Sequence, residues 1–420
     1  MSFSHTAGSF LDKGYMKQFL LSIFLKLYAQ WAGATGKPYP NSVLLLPPYS
    51  PGSYGDAAVV TSFVENLASR GIERIGLIKY QDSDDWSSVN GIRETFSLED
   101  YFHYEAWKIR FSFCKKISEY EQFFILGTDV MDGYYSPKDS LERIYLTELG
   151  AQTGRPTRIV SFSFNAHPIP ACVTALRHLS PSVHLFSRDP VSQKRLESHL
   201  QRPVTLTADI AFLLRPREGN ISAGIEQWID EQQKDNGIVV GINANHVLVE
   251  KFSEITIEKL VKAYQEALQE IHAAYPDIRF LFIPHDIRGD ASDVVIAEAI
   301  FRTLPPNLQQ VSKIVPSPCH PAEIKHIVSR LSFVLSGKMH LAIACLSQGV
   351  PVACIAYQDK FEGLFQHFEM EDMSLAPEEL LLPGKLSQFF LKRFNKKENL
   401  SAQIQTHLPR VLQLAEKNLV

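Results

Sequence analysis

The chain has 420 residues, 45% hydrophobic and 21% charged, the balance of a globular protein too long for one ordinary core. A formal net charge of −4 leaves no basic excess for a nucleic-acid-binding face. Cys114, Cys172, Cys319, Cys345 and Cys354 share no CxxC spacing, so neither a disulfide framework nor a cysteine zinc site is expected, and a reducing cytoplasm fits.

Residues 1–37 read as an amphipathic helix. Met16, Leu20, Ile23, Phe24, Leu27 and Trp31 share a helical stripe, with Lys17, Gln18, Ser22, Lys26 and Gln30 elsewhere. The stripe predicts a helix packed on the domain behind it; docking at a membrane surface, lysines toward the headgroups, is the alternative. Lys26 breaks the apolar run well short of the ~20 residues of a membrane span. The split run also matches a signal peptide poorly.

From Asn41 apolar runs alternate with amphipathic segments. VLLLPPY, IERIGLIKY, QFFILG, RIVSFSF, VHLFSRD and VTLTADIAFLL read as strands. Helices are expected over GDAAVVTSFVENLASRG, around Tyr104 to Tyr120, and over Ser140 to Leu149, Ala171 to Leu179 and Pro190 to Leu200. Strands and helices of these lengths in alternation predict parallel βαβ units. Residues 216–236 turn polar and read as a linker holding a short helix. A second set follows, with GIVVGIN, RFLFIPH, KIVPSP, LSFVLSG and VPVACIAY as strands. Its helices run over Ile255 to Ala273, Asp293 to Leu304 and Pro321 to Arg330, and another opens at Lys338. The expected fold class is α/β, with two Rossmann-like parallel-sheet domains (38–215 and 237–375) facing a cleft and a helical tail over 376–420.

Ser336 to Gly363 is the stretch richest in chemistry. A strand ends at Ser336-Gly337, His340 falls in the first turn of the next helix, and Lys338 and Lys360 lie at neighbouring strand ends. That arrangement predicts a positively charged crevice for a small anion. Gly52-Ser53-Tyr54-Gly55-Asp56 follows the first strand, where glycines let backbone amides approach a ligand. Asp56 there serves as a helix cap or as acceptor or base for a sugar hydroxyl. The segment is not GxGxxG and has no P-loop lysine. Arg188, at the end of VHLF, either clamps a carboxylate or phosphate through two parallel hydrogen bonds or pairs with Asp189. Asp129, Asn165, His167, Asn243, Asn245, His246, His285 and Asp286 end other strands and are candidate cleft walls. The histidines show no HExxH or paired-ligand spacing, so no metal site is expected. No GxSxG suggests a serine hydrolase.

These pieces stand in a suggestive order: Gly55-Asp56 before an apolar helix, ILGTD, Arg188-Asp189 with Ser192, TADIAF at 207–212, SGKMH, GVP, and Tyr357 with Lys360. From about Val43 to Phe368 the chain resembles the polysaccharide pyruvyl transferase family. The family usually has arginine and leucine before this histidine, where the chain has Lys338 and Met339; lysine keeps the charge but loses the two-pronged grip. The resemblance implies a two-domain fold like that of GT-B glycosyltransferases. It also implies transfer of a pyruvyl group from phosphoenolpyruvate, as co-substrate without further cofactor, onto two hydroxyls of a sugar or lipid-linked glycan. Carried over by motif, Arg188, His340 and Lys360 are donor-binding or catalytic, and Lys338 occupies the arginine position. In the scheme that follows, His340 is the general acid and Arg188, Lys338 and Lys360 hold the donor beside Ser336 and Gly337. Asp56 orients or deprotonates the acceptor, and Gly55, Asp129, Asn165 and His285 line the acceptor side of the cleft. The reaction would take place in the cytoplasm or at the inner membrane face. A glycosyltransferase using a nucleotide sugar is the alternative, and a non-catalytic glycan-binding homologue a third reading.

Overall fold

The structure, a computed structural model, describes residues 8–99, 107–289 and 292–420 and, of these, the side chains of all but 8–20 and 107–108. Tyr104 and the side chains of Met16 and Leu20 therefore lie outside the described residues. The first sheet holds β1 (Ser42–Leu46), β2 (Arg74–Lys79), β3 (Ile92–Ser97), β4 (Gln122–Thr128), β5 (Thr157–Phe162), β6 (Val183–Ser187) and β7 (Thr205–Leu206). The second holds β8 (Ile238–Ile242), β9 (Ile278–Phe282), β10 (Ser312–Ile314), β11 (Phe333–Ser336), β12 (Val352–Ile355) and β13 (Ser374–Leu375). All neighbours pair parallel, in the orders β3-β2-β1-β4-β5-β6-β7 and β10-β9-β8-β11-β12-β13. Every residue of β1 is buried, as a central strand covered by helices on both faces requires, and its sequence is accordingly an unbroken apolar run.

Three sequence expectations are corrected. β3 went unpredicted because its side chains alternate between half-buried and exposed at the sheet edge, leaving IRETFS without an apolar run. The two-residue β13 is too short to show a pattern. Of the expected strand VTLTADIAFLL, only Thr205–Leu206 pairs with the sheet. Ile210–Leu213 winds into a 3₁₀ turn, opened by the Asp209 carboxylate accepting from the Ala211 N–H at 2.9 Å. An aspartate placed to satisfy a free N–H favours the turn over the extended chain.

Strand order reverses direction between β1 and β4 in one sheet and between β8 and β11 in the other. Crevices form at such reversals, outside the carboxyl ends of the strands. The two crevices face each other. Backbone hydrogen bonds tie the lobes at this point: the Tyr54 N–H donates to the His285 carbonyl at 3.2 Å and the Ile287 N–H to that of Gly52 at 3.1 Å.

Helices α1 (Gly8–Thr35), α2 (Tyr54–Ser69), α3 (Trp107–Ser118) and α4 (Pro137–Gln152) belong to the first lobe, with α1 outermost on α3 and α4. α1 does pack on α3 and α4, but not through the predicted stripe. Leu25, Ala29 and Ala32 are buried against that lobe, while Ile23, Phe24, Leu27 and Trp31 face outward. Small and medium side chains allow close approach to α4: the Gly33 Cα lies hard against the Thr153 carbonyl, where a Cβ would clash.

The chain's end returns to the first lobe. The helix Lys397–Glu416 starts on the second lobe, where the Ser401 hydroxyl donates to the Gly349 carbonyl at 2.8 Å. In the 3₁₀ turn that follows it, Asn418 is fully buried, its amide donating to the Ala208 carbonyl at 2.8 Å and accepting from the Ser161 N–H at 3.0 Å. Asn418→Ala strands two buried backbone groups and is expected to cost about 1–3 kcal/mol, read as a lowered urea midpoint with an unchanged slope.

Candidate active site

A cavity of about 340 Å³ lies between the facing crevices, within the ~300–1,000 Å³ typical of ligand sites. The first lobe contributes Tyr49, Ser53, Gly55 and Asp56 from the end of β1, Asp129 and Tyr135 from the end of β4, and Arg143 from α4. His285, Asp286 and Arg288 follow β9, Lys338 and His340 follow β11, and Tyr357 and Lys360 follow β12.

Local structure explains each placement. Ser53 caps α2, its hydroxyl accepting from the Asp56 N–H at 3.3 Å, which sets Asp56 in the first turn. Gly55 packs against the His340 ring from the opposite lobe, and a Cβ there would come 2.4 Å from Nδ1. Ser336 and Gly337 form the turn that presents Lys338 and His340, and neither touches the cavity. The Ser336 hydroxyl accepts from the Lys338 N–H at 3.0 Å. The Gly337 carbonyl accepts from Asn245 at 2.7 Å and its N–H donates to Asn243 at 3.2 Å. Their expected donor-binding place is corrected to a shaping one.

The expected positive crevice is corrected too, because its cations meet carboxylates. Lys360 Nζ lies 2.5 Å from Asp129 and donates to the Tyr357 hydroxyl at 2.9 Å. Lys338 Nζ lies 3.3 Å from Asp286 and 3.7 Å from Asp293. Arg288 grips Asp286 with two parallel hydrogen bonds of 2.9 and 2.7 Å, and its Nη1 is 3.9 Å from Asp56. Burying a cation is costly unless it is paired, so the fold supplies the acids with the bases. Lys360 has acceptors for all three of its donors, Asp129, Tyr357 and the Tyr135 hydroxyl at 3.3 Å, whereas the guanidinium of Arg288 has N–H groups beyond the two on Asp286 and the Lys338 contacts are long.

Burial pushes the Asp56 carboxyl up, against the opposing pull of Arg288 and His340. It therefore holds a proton more readily than an ordinary aspartate, as a general acid or base needs. Burial also raises the Asp129 carboxyl, but Lys360 and Arg188 outweigh it and hold it well below the usual range. Burial, with His340 and Lys338 nearby, lowers His285 to about 3, so this imidazole is neutral. Asn165 stands aside with Asp129, Asp132 and Lys360 around a small adjoining recess.

Arg188 is absent from the cavity wall. It is 1% exposed, with Nη1 2.8 Å from Asp209 and Nη2 donating to the Ser163 hydroxyl at 2.8 Å. The same Asp209 oxygen lies 3.5 Å from Nε2 of His340. Arg188 therefore meets Asp209 rather than the cavity, and Asp209 stands between it and His340, because the turn after β7 brings an aspartate there. His340 Nε2 is buried and faces Asp209, while Nδ1 lies on the Gly55 side.

Sequence reasoning gave no role to Asp209, although the TADIAF segment contains it, and missed Tyr49, Tyr135, Arg143 and Arg288. Arg288 stands three residues beyond His285, and a longer reading of the same strand end would have included it. Tyr135 and Arg143 come from the loop and helix after β4 and carry no local signal.

A polysaccharide pyruvyl transferase family model matches residues 54–359, and the chain belongs to that family. No curated protein matches it. Among solved structures it is similar to a Listeria monocytogenes protein described as a UDP-N-acetylglucosamine 2-epimerase, at 12% identity and TM-score 0.58, covering 90% of this chain and 93% of that one. The UDP-GlcNAc 2-epimerase of Neisseria meningitidis, solved with UDP-GlcNAc, matches at 13% identity and 0.56, over 90% and 99%. A ugt transferase from Siraitia grosvenorii in complex with UDP matches at 10% and 0.52, over 90% and 98%. These likenesses show the two-domain, GT-B-like α/β fold.

Two outcomes follow for the site. Burial raises the Asp209 carboxyl, but His340 and Arg188 prevail and hold it down to about 2. An unfolded aspartate titrates near ~4, so the unfolded chain takes up this proton first as the pH falls. Asp209 therefore stabilises the fold above about pH 4, and that contribution drains away between about pH 4 and 2. Asp209→Asn should cost about 3 kcal/mol or more at pH 7, by leaving Arg188 unpaired, and should flatten stability against pH in that acid window, measured by urea titration at each pH. Gly55→Ala should displace the His340 ring and lower turnover roughly tenfold or more, with thermal melting as the check on folding.

Proposed function

We propose that the chain transfers the pyruvyl group of phosphoenolpyruvate onto two hydroxyls of one sugar of a glycan, forming a cyclic ketal and releasing phosphate, with no further cofactor. Membership of the family supports pyruvyl transfer to a polysaccharide. The observation that carries the finer reading is the cavity at the facing crevices, where Lys338, Lys360 and Arg288 surround His340 and Asp56. A donor with both a phosphate and a carboxylate would take the place of Asp129 and Asp286 on these cations.

The reaction divides into two steps. In the first, an acceptor hydroxyl oxygen bonds to the enol carbon while Asp56 takes its proton, and His340 delivers a proton to the methylene carbon, making it a methyl group. Lys338, Lys360 and Arg288 hold phosphate and carboxylate as positive charge develops at the enol carbon. In the second, the neighbouring hydroxyl attacks that carbon and the bond to phosphate breaks. Of the two hydroxyl protons, one is thus balanced by the new methyl C–H and the other leaves with phosphate. Tyr49, half open at the cavity mouth and stacked on Tyr80, offers a flat face for the acceptor ring.

The test is incubation of the protein with phosphoenolpyruvate or UDP-sugars and a panel of glycans, following phosphate release and acceptor mass together. Ketal formation and phosphate should appear in equal amounts from phosphoenolpyruvate alone, and His340→Ala should lose turnover by a factor of about one hundred or more. Transfer of a sugar from the UDP donors, or near-normal turnover without His340, would overturn the scheme.

A further inference from the structure

The outward face of α1 is unexplained by the fold. Ile23, Phe24, Leu27 and Trp31 are 40%, 62%, 56% and 59% exposed. At about 100° per residue they fill one arc of the helix, on the far side from Leu25, Ala29 and Ala32. A contiguous patch of this kind marks a surface that meets something apolar.

Charge identifies the partner. The first 41 residues hold four lysines, Lys13, Lys17, Lys26 and Lys37, against one acid, Asp12, in a chain whose net charge is −4. Lys26 and Lys37 are exposed, as is Lys115 on the neighbouring α3. A two-fold contact between copies would set this patch against itself, lysine facing lysine. Anionic lipid headgroups suit the lysines, and the acyl boundary beneath them suits phenylalanine, leucine and tryptophan. Among the described residues no helix is long and apolar enough to cross a membrane, so the helix would lie on the surface.

The direction of α1 gives the contact a use. Gly33 lies beside Thr153, Gln30 bonds Gln152 at 3.3 Å, and Tyr28 shares a cluster with Tyr145. The contacts step back along α1 and α4 together, so the helices run the same way. α4 begins at the cavity, which Ser136, Asp139, Ser140 and Arg143 help to line. The amino-terminal end of α1 is therefore at the end of the lobe where the cavity opens.

We propose that α1 docks on a bilayer bearing anionic headgroups, with Phe24, Leu27 and Trp31 at the acyl boundary and Lys26 and Lys37 among the headgroups. The full chain should co-sediment with vesicles of phosphatidylcholine mixed with phosphatidylglycerol, but not with phosphatidylcholine alone, and added salt should release it. The double variant Phe24→Ser, Trp31→Ser should bind at least about tenfold more weakly. Lys26→Glu with Lys37→Glu should weaken binding while leaving the apolar face intact. Thermal melts establish that each variant folds. Absence of sedimentation, equal binding by the double variant, or a vesicle-independent dimer that Phe24→Ser, Trp31→Ser dissociates would each overturn the proposal.

Discussion

Three charged contacts cross the cleft and join the two lobes, while Lys338 and Arg288 also pair with Asp286 inside their own lobe. Lys360 of the second lobe meets Asp129 of the first, Arg288 approaches Asp56, and His340 approaches Asp209. In a site this buried, an ion without a partner is a heavier penalty than a pair is a gain. Closing the lobes is therefore coupled to the pairing of groups that the chemistry also needs. On the proposed reading, an anionic donor would compete with these aspartates for the same ammonium and guanidinium donors, which the acids hold in place.

Behind the cavity, Arg188, Asp209 and His340 form a line from core to site. Arg188 is held on its far side by the Ser163 hydroxyl, and Asp209 by the N–H of Ala211. Both partners are fixed before they reach the imidazole. A carboxylate so placed orients a histidine, and the buried guanidinium behind it helps to hold that carboxylate ionised.

Much of the fold was legible because central parallel strands must be apolar throughout, as SVLLL in β1 and the runs leading to Ser336 and Ile355 are. The edge strand β3 was not, since its burial is incomplete and pattern reading depends on burial. The site divides in the same way. His340, Lys338, Lys360, Asp56, Asp129 and His285 stand at strand ends, where position alone flags them, and the structure gathers them around one cavity. Arg188 stands at a strand end too, yet faces the interior, because what it meets depends on where the chain places Asp209, 21 residues later. Pairing across that distance leaves no trace in local spacing. Nor does the choice of helical face: the predicted stripe on α1 was apolar, but alanines on the other side fit the narrow space against α4.

The return of the carboxyl-terminal helix sets how this molecule can move. The backbone crosses between lobes once after the 3₁₀ turn at Ile210–Leu213 and again along Lys397–Glu416, which Asn418 pins to the first lobe. Two tethers on one side of a bilobed body define a hinge line and oppose both sliding and twisting about any other axis. A jaw-like rotation about that line would have to break the backbone hydrogen bonds from Tyr54 to His285 and from Ile287 to Gly52.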